Sequence, residues 1–289
     1  MVKLLVVTRG HQYDYNGFHA IFDDNPAFDA TFVDQPAAQI IMRPEHVATY
    51  DVVLFYDMWG LPGWRATSEP TPPPDYVRSI EALLESGKGL ILLNHALAGW
   101  PAWPLWRQLS GTTFTMEPRV IDGQEVPPSG YRCDGFGETK GHRGAVHRLT
   151  PVDPGHPVVA GLEGGFEIND ELYLRMPMAP SEDIIPLLRS NFSFVPENFN
   201  PLPSALKPGE PWTHPPGNDV IVWAKRVRNS PILASEAGDS PAAYANPAFR
   251  RMLANGVAWV ASEAARAWAR GSSGRAEPVA TRSAVPAAL

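Results

Sequence analysis

One stretch constrains this chain more than any other: Gly89-Leu-Ile-Leu-Leu-Asn-His95, an apolar run that ends abruptly in two polar residues. Four apolar residues with none to face water read as a strand buried on both sides, as in a parallel sheet under helices. Asp51-Val-Val-Leu-Phe-Tyr-Asp57 has the same form, and Lys3 to Thr8 runs on into Gly10-His11. Open α/β sheets bind ligands beyond the carboxyl ends of their strands, where loops and helix N-termini meet. His11, Asp57 and His95 therefore stand where such a fold does its chemistry.

Composition removes several classes of function. The formal charge of −7 and the lack of any Lys/Arg run oppose a nucleic-acid groove. A single cysteine, Cys133, excludes an intramolecular disulfide and argues strongly against a thiolate zinc site. No apolar run approaches the roughly 18 residues that span a bilayer, and no basic leader precedes the first strand. A soluble, cytoplasmic protein with no membrane partner is expected. The 31 prolines exceed the usual share of about 5%, so connections should be long and stiff.

Strand and helix signals alternate through the first half. A helix over 17–23 with Phe18, Ile21 and Phe22 on one face is followed by strands over 29–34 and 51–56. A second helix over 76–86 has Asp75 as its cap and Gly87 as its stop. Alternation of this kind predicts an α/β fold, a flavodoxin-like, doubly wound, mostly parallel sheet with helices on both faces. Between 116 and 147 the signal fades. Residues 168–173 and 184–188 read as short strands, and 219–227 with 230–235 as a strand pair. Asn246 caps a long helix with Pro247 in its first position. One domain is expected over 1–271, with a disordered tail over 272–289. Residues 191–218 form a Pro-rich insertion whose Phe192, Phe194, Phe199 and Trp212 suit either a lid over the strand ends or an insertion packed elsewhere.

Six segments in order, Leu5–His11, Tyr50–Asp57, Gly87–His95, Asp153–Leu162, Asp170–Tyr173 and Asn246–Leu253, resemble the ThuA-like (trehalose utilisation) family. That family is a branch of the class I glutamine amidotransferase-like superfold. The resemblance implies a role in carbohydrate metabolism, on sugars or oxidised keto-sugars. Two departures stand out. The family usually ends its last core strand in Gly-His-Asp, whereas this chain has Gly238-Asp239-Ser240, one histidine lost and one carboxylate gained. The 191–218 segment is also longer than the family pattern.

Glutaminases of this superfold carry a nucleophilic cysteine on the turn that here reads Leu93-Asn94-His95-Ala96, so thioester chemistry is excluded and Cys133 is a bystander. His95 is a candidate general base, or a histidine that bonds its own loop. His11 shares the argument, or belongs to a polar turn. Asp170 and Glu171 are adjacent on a strand edge and face opposite ways, with Glu171 the better candidate for the pocket. Asp57, Asn94, Asp170, Asp239 and Trp100 are candidate substrate-binding residues, with Glu236 near Asp239. His142, His147 and His156 match no metal motif. No metal ligand is assigned, although convergence of His11, His95, Asp57 and Glu171 would suit zinc or a similar divalent ion. The expected function is acid–base catalysis on a small carbohydrate-like ligand, the alternative a non-catalytic sugar-binding or sensing module. Either is compatible with a homo-oligomer.

Overall fold

The computed structural model describes residues 1–61, 70–133, 144–176, 181–201 and 211–271. The apolar runs form their strands in order. β1 (Val2–Thr8) leads to α1 (Tyr15–Asp23), β2 (Phe28–Asp34), the one-turn helices α2 (Ala38–Ile41) and α3 (Pro44–Val47), β3 (Val52–Phe55), α4 (Pro74–Glu85) and β4 (Gly89–Leu93). A 3-10 turn over Asn94–Ala98 follows, then α5 (Pro104–Ser110). Short strands β5 (Arg119–Ile121), β6 (Gln124–Val126) and β7 (Gly130–Arg132) precede β8 (Ala145–Pro151), β9 (Phe166–Asp170), β10 (Leu172–Leu174), β11 (Ile184–Ser190) and β12 (Asn200–Pro201). β13 (Val220–Val227) and β14 (Ser230–Ser235) pair, and α6 (Pro241–Ala245), α7 (Pro247–Val260) and α8 (Glu263–Arg270) follow.

The main sheet runs β2-β1-β3-β4-β14-β13-β11-β8-β9. Its first five strands are all parallel, in the 2-1-3-4-5 order of flavodoxin-like folds. β13, β11, β8 and β9 extend it in antiparallel fashion. The doubly wound α/β core is as the sequence predicts. The antiparallel wing holds the strands expected over 168–173, 184–188 and 219–227 and adds β8, which the sequence does not announce.

Alternation along the strands feeds two cores. Leu4, Val6, Val52, Leu54, Ile91 and Leu93 pack on one face with Phe18, Phe22 and Tyr244, and with Phe249, Met252 and Val257 of α7. Leu5, Val7, Val53, Phe55, Leu90 and Leu92 pack on the other, under Tyr76, Ile80 and Leu84 of α4 and Trp106 of α5. Each such side chain, fully buried, contributes about 1.5–3 kcal/mol. The cores fix the sheet and therefore where the strands end.

Several local expectations need correction. Asp75 does not cap α4: Pro73 occupies the N-cap position, Pro74 begins the helix, and no side chain caps it, while the Asp75 carboxylate pairs with Arg78. Gly87, with φ +74, does end it. The single strand expected over 168–173 breaks at Glu171, placing β9 in the main sheet and β10 in a small sheet with β7 and β12. The segment 116–147 is not featureless; it carries the β5–β6 hairpin and β7. Asn246 caps α7 as expected, its side chain accepting from the Ala248 and Phe249 backbone N–H groups.

Within the Pro-rich insertion, Phe194 and Phe199 are buried in the main core and Phe192 packs against it. Trp212 donates from Nε1 to the Pro128 carbonyl, 3.0 Å away. These aromatics anchor the segment beside the small sheet. Pro203, Pro208, His142 and the tail over 272–289 lie outside the described residues.

Candidate functional site

Three parallel strands end the same way. β1 runs through Arg9 and Gly10 to His11, β4 through Asn94 to His95, and β14 through Gly238 to Asp239. Gly10 (φ +97), Asn94 (φ 39) and Gly238 (φ 128) all take left-handed or glycine-type conformations, which turn the chain sharply at the strand end. Gly10 must be glycine, because a Cβ there would sit 2.2 Å from the Met58 carbonyl oxygen.

These turns bring His11, His95 and Asp239 together. One donor atom from each lies within 4.8 Å of the other two. His95 Nε2 stands 2.8 Å from Asp239 Oδ1, with the His95 side chain 1% exposed and Asp239 17%. The His11 and His95 rings are 4.2 Å apart between centroids. His11 keeps an exposed edge, yet loss of water around its ring, and the neighbouring His95, draw its pKa down, partly offset by Asp239. Its Nδ1 lies 2.7 Å from the Gln12 carbonyl oxygen; that contact assigns the proton to Nδ1 and the lone pair to Nε2. Burial works to raise the Asp239 pKa, but the contact with His95 and the charges of both histidines hold it low.

A buried polar layer supports this cluster. Asp170 accepts backbone N–H groups from Gly238, Asp239 and Ser240 at 2.6, 3.1 and 2.9 Å. Asn94 donates to the Glu236 carbonyl at 2.6 Å and accepts from the Tyr173 hydroxyl at 2.9 Å. Glu236 Oε1 accepts the Tyr173 N–H, and its Oε2 accepts Arg175 Nε at 2.9 Å. Beside them Glu171 is buried, with Oε2 lacking a hydrogen-bond partner among the described residues. Burial first, and then the charge of Asp239, push the Glu171 pKa well above the usual carboxylate range. Asp170 is raised to about 7 by the same two causes.

The structure thus joins His11, His95 and Asp239, with Asn94, Asp170 and Glu171 directly behind or beside them. It does not bring in Asp57 or Trp100. Asp57 is fully buried and accepts Gln35 Nε2 at 2.8 Å, near Tyr76. Its neighbour Tyr56 takes the opposite face, as alternation requires, with its ring 4.7 Å from His95 and its hydroxyl 2.6 Å from that of Tyr244. Trp100 is 2% exposed and packs against Tyr76 and Trp103, so it offers no open stacking face. Tyr56, Tyr173 and Arg175 are site residues the sequence did not single out. Period-two alternation beyond β3 points to Tyr56; Tyr173 and Arg175 act through partners more than 40 residues away, which no local pattern carries.

The family model for ThuA, trehalose utilisation, matches residues 3–260. The chain belongs to the ThuA family. Among solved structures it is similar to a putative ThuA-like protein from Parabacteroides merdae, at 18% identity and TM-score 0.60 over 90% of each chain. A putative ThuA-like protein from Bacteroides uniformis gives 17% identity and TM-score 0.56, over 91% of this chain and 92% of that one. A cytoplasmic protein from Salmonella typhimurium gives 12% and 0.51, over 90% and 99%. These identities speak for the ThuA fold. No curated protein matches the chain. The family's description supports a carbohydrate-related role for this ThuA member. Among the described residues, no helix is long and apolar enough to cross a membrane.

Proposed function

We propose that this ThuA-family chain is an enzyme that performs acid–base chemistry on a small carbohydrate or its oxidised keto derivative, bound at the ends of β1, β4 and β14. The convergence of His11, His95 and Asp239 beside a buried Glu171, whose Oε2 has no hydrogen-bond partner among the described residues, is the observation that carries this reading. A carboxyl kept protonated near neutral pH can donate its proton to a developing oxyanion or leaving oxygen and take one back as the conjugate base. Glu171 is assigned that proton. His95, whose Nε2 stands against Asp239, serves with His11 and Asp239 to receive the substrate's oxygen functions. The partly buried Met58, Met116 and Tyr131, packed on Ala98, Phe114 and Tyr173, offer an apolar wall next to them.

Turnover and calorimetric binding across a panel of keto-sugars and their parent sugars test the proposal. Conversion of at least one keto-sugar is expected, with Glu171→Gln lowering kcat by at least 100-fold while binding persists. Binding without turnover anywhere in the panel would instead make the chain a sugar-sensing module. Absence of both would remove the carbohydrate site.

A further inference from the structure

We infer that His11, His95 and Asp239 form a binding site for one divalent transition-metal ion, zinc fitting the donor set best. The donors are two imidazole nitrogens and a carboxylate oxygen, already within 4.8 Å of one another. Ligands on a tetrahedral zinc at bond lengths of about 2.0–2.2 Å stand roughly 3.3 Å apart, and three protein ligands are the number that leaves a fourth position for water or substrate. Reaching that geometry takes an opening of the 2.8 Å separation of His95 Nε2 and Asp239 Oδ1 by a fraction of an ångström, and a closing of the widest pair, within 4.8 Å, by at most about 1.5 Å.

His95 provides the second, independent observation. It is almost wholly buried, yet among the described residues neither ring nitrogen has an aligned hydrogen-bond partner; Asp239 is near Nε2 but does not satisfy it in line. A buried polar atom left without a partner costs about 1–3 kcal/mol, and an ion coordinated at Nε2 supplies that nitrogen's partner. His11 is prepared in the same sense. Its Nδ1–H is engaged by the Gln12 carbonyl at 2.7 Å, the outer contact that fixes tautomer and ring orientation in metal-ligating histidines. Asp239 is held through its backbone by Asp170. Each ligand sits on a short, sharply turned connection from a core strand.

Resting on the reading of this site as the functional one, the inference specifies how the cluster would receive a substrate oxygen: through the ion's open position, a Lewis-acid role, leaving Glu171 to move the proton. Histidine-plus-carboxylate sets also suit iron(II), so the metal is tested directly.

The full chain, stripped with chelator and dialysed, is titrated calorimetrically with zinc, and separately with manganese and iron(II) under anaerobic conditions. One zinc per chain at sub-micromolar Kd is expected, weakened at least tenfold by His11→Ala and by Asp239→Asn. His11 lies on an exposed turn, so its substitution leaves the cores intact, and an unchanged circular dichroism spectrum verifies this. X-ray absorption on the zinc-loaded chain should show two imidazole ligands. No saturable binding, or binding unmoved by both substitutions, overturns the metal site. Because no sugar is present, the two proposals fail separately: metal bound without turnover removes the enzyme, and turnover that survives complete chelation removes the metal.

Discussion

Asp170 accepts the backbone N–H of Asp239 at 3.1 Å, although their strands, β9 and β14, are separated by three others in the sheet order. The same carboxylate takes the N–H groups of Gly238 and Ser240. One side chain from the antiparallel wing therefore holds the turn that aims Asp239 at His95. Asp170→Ala would leave three backbone donors unsatisfied, each costing about 1–3 kcal/mol where water cannot reach. We expect a lowered Tm and a large loss of turnover, with Asp170→Asn intermediate in both. Thermal unfolding with both variants settles the point; wild-type behaviour of Asp170→Ala would show that the turn holds itself.

Asp57 stabilises the fold most when protonated. Burial raises its pKa to about 7, against an unfolded value of about 3.9, so the folded state binds the extra proton between those values. Its contribution is complete below about 3.9 and is lost as pH rises through 7, by about 1.4 kcal/mol per pH unit at most. Asp57→Asn removes this dependence. In urea unfolding at pH 5 and pH 8, the variant should gain on the wild type at the higher pH. An equal gap at both values would contradict the assignment.

Arg175 and Glu236 form an ion pair at 2.9 Å with side chains 1% and 0% exposed. Glu236 also orders Tyr173 and Asn94 behind His95. Removing one partner strands a buried charge, so Arg175→Met should cost about 3–5 kcal/mol. The double variant Arg175→Met/Glu236→Gln should recover part of that loss in denaturant titration. Additive losses would mean that the two side chains do not depend on each other.

Gly10 sets where His11 points. An alanine there meets the Met58 carbonyl oxygen at 2.2 Å and keeps an unfavourable φ of +97, so the turn must move, at a strain of about 1–3 kcal/mol. Turnover of Gly10→Ala should fall at least tenfold with the far-UV spectrum unchanged. Full activity would place the chemistry away from His11.

The parallel half of this fold is legible because β1, β3 and β4 are buried on both faces and so read as unbroken apolar runs. α7 is legible because Asn246-Pro247 is a local start signal. In the antiparallel wing β9, β11 and β13 are legible as strands, but β8 is not. β8 alternates buried and exposed residues and carries His147 and Arg148, so it resembles surface chain, and the three-residue strands β5, β6 and β7 are shorter than any periodicity window. The break at Glu171 is set by two sheets competing for one segment. Strand-end position located His11 and His95, but not the choice between Asp57 and Tyr56, which depends on the face each takes. That Asp239 meets His95, 144 positions earlier in the chain, follows only from β14 lying beside β4.

The most direct test of the strand-end site is a crystal structure of Glu171→Gln soaked with a keto-sugar that the wild type converts. We expect the sugar's oxygens to sit on the His11–His95–Asp239 cluster, directly or through one ion, with residue 171 within hydrogen-bond reach of the reacting oxygen. Sugar bound elsewhere, with this cluster untouched, would contradict it.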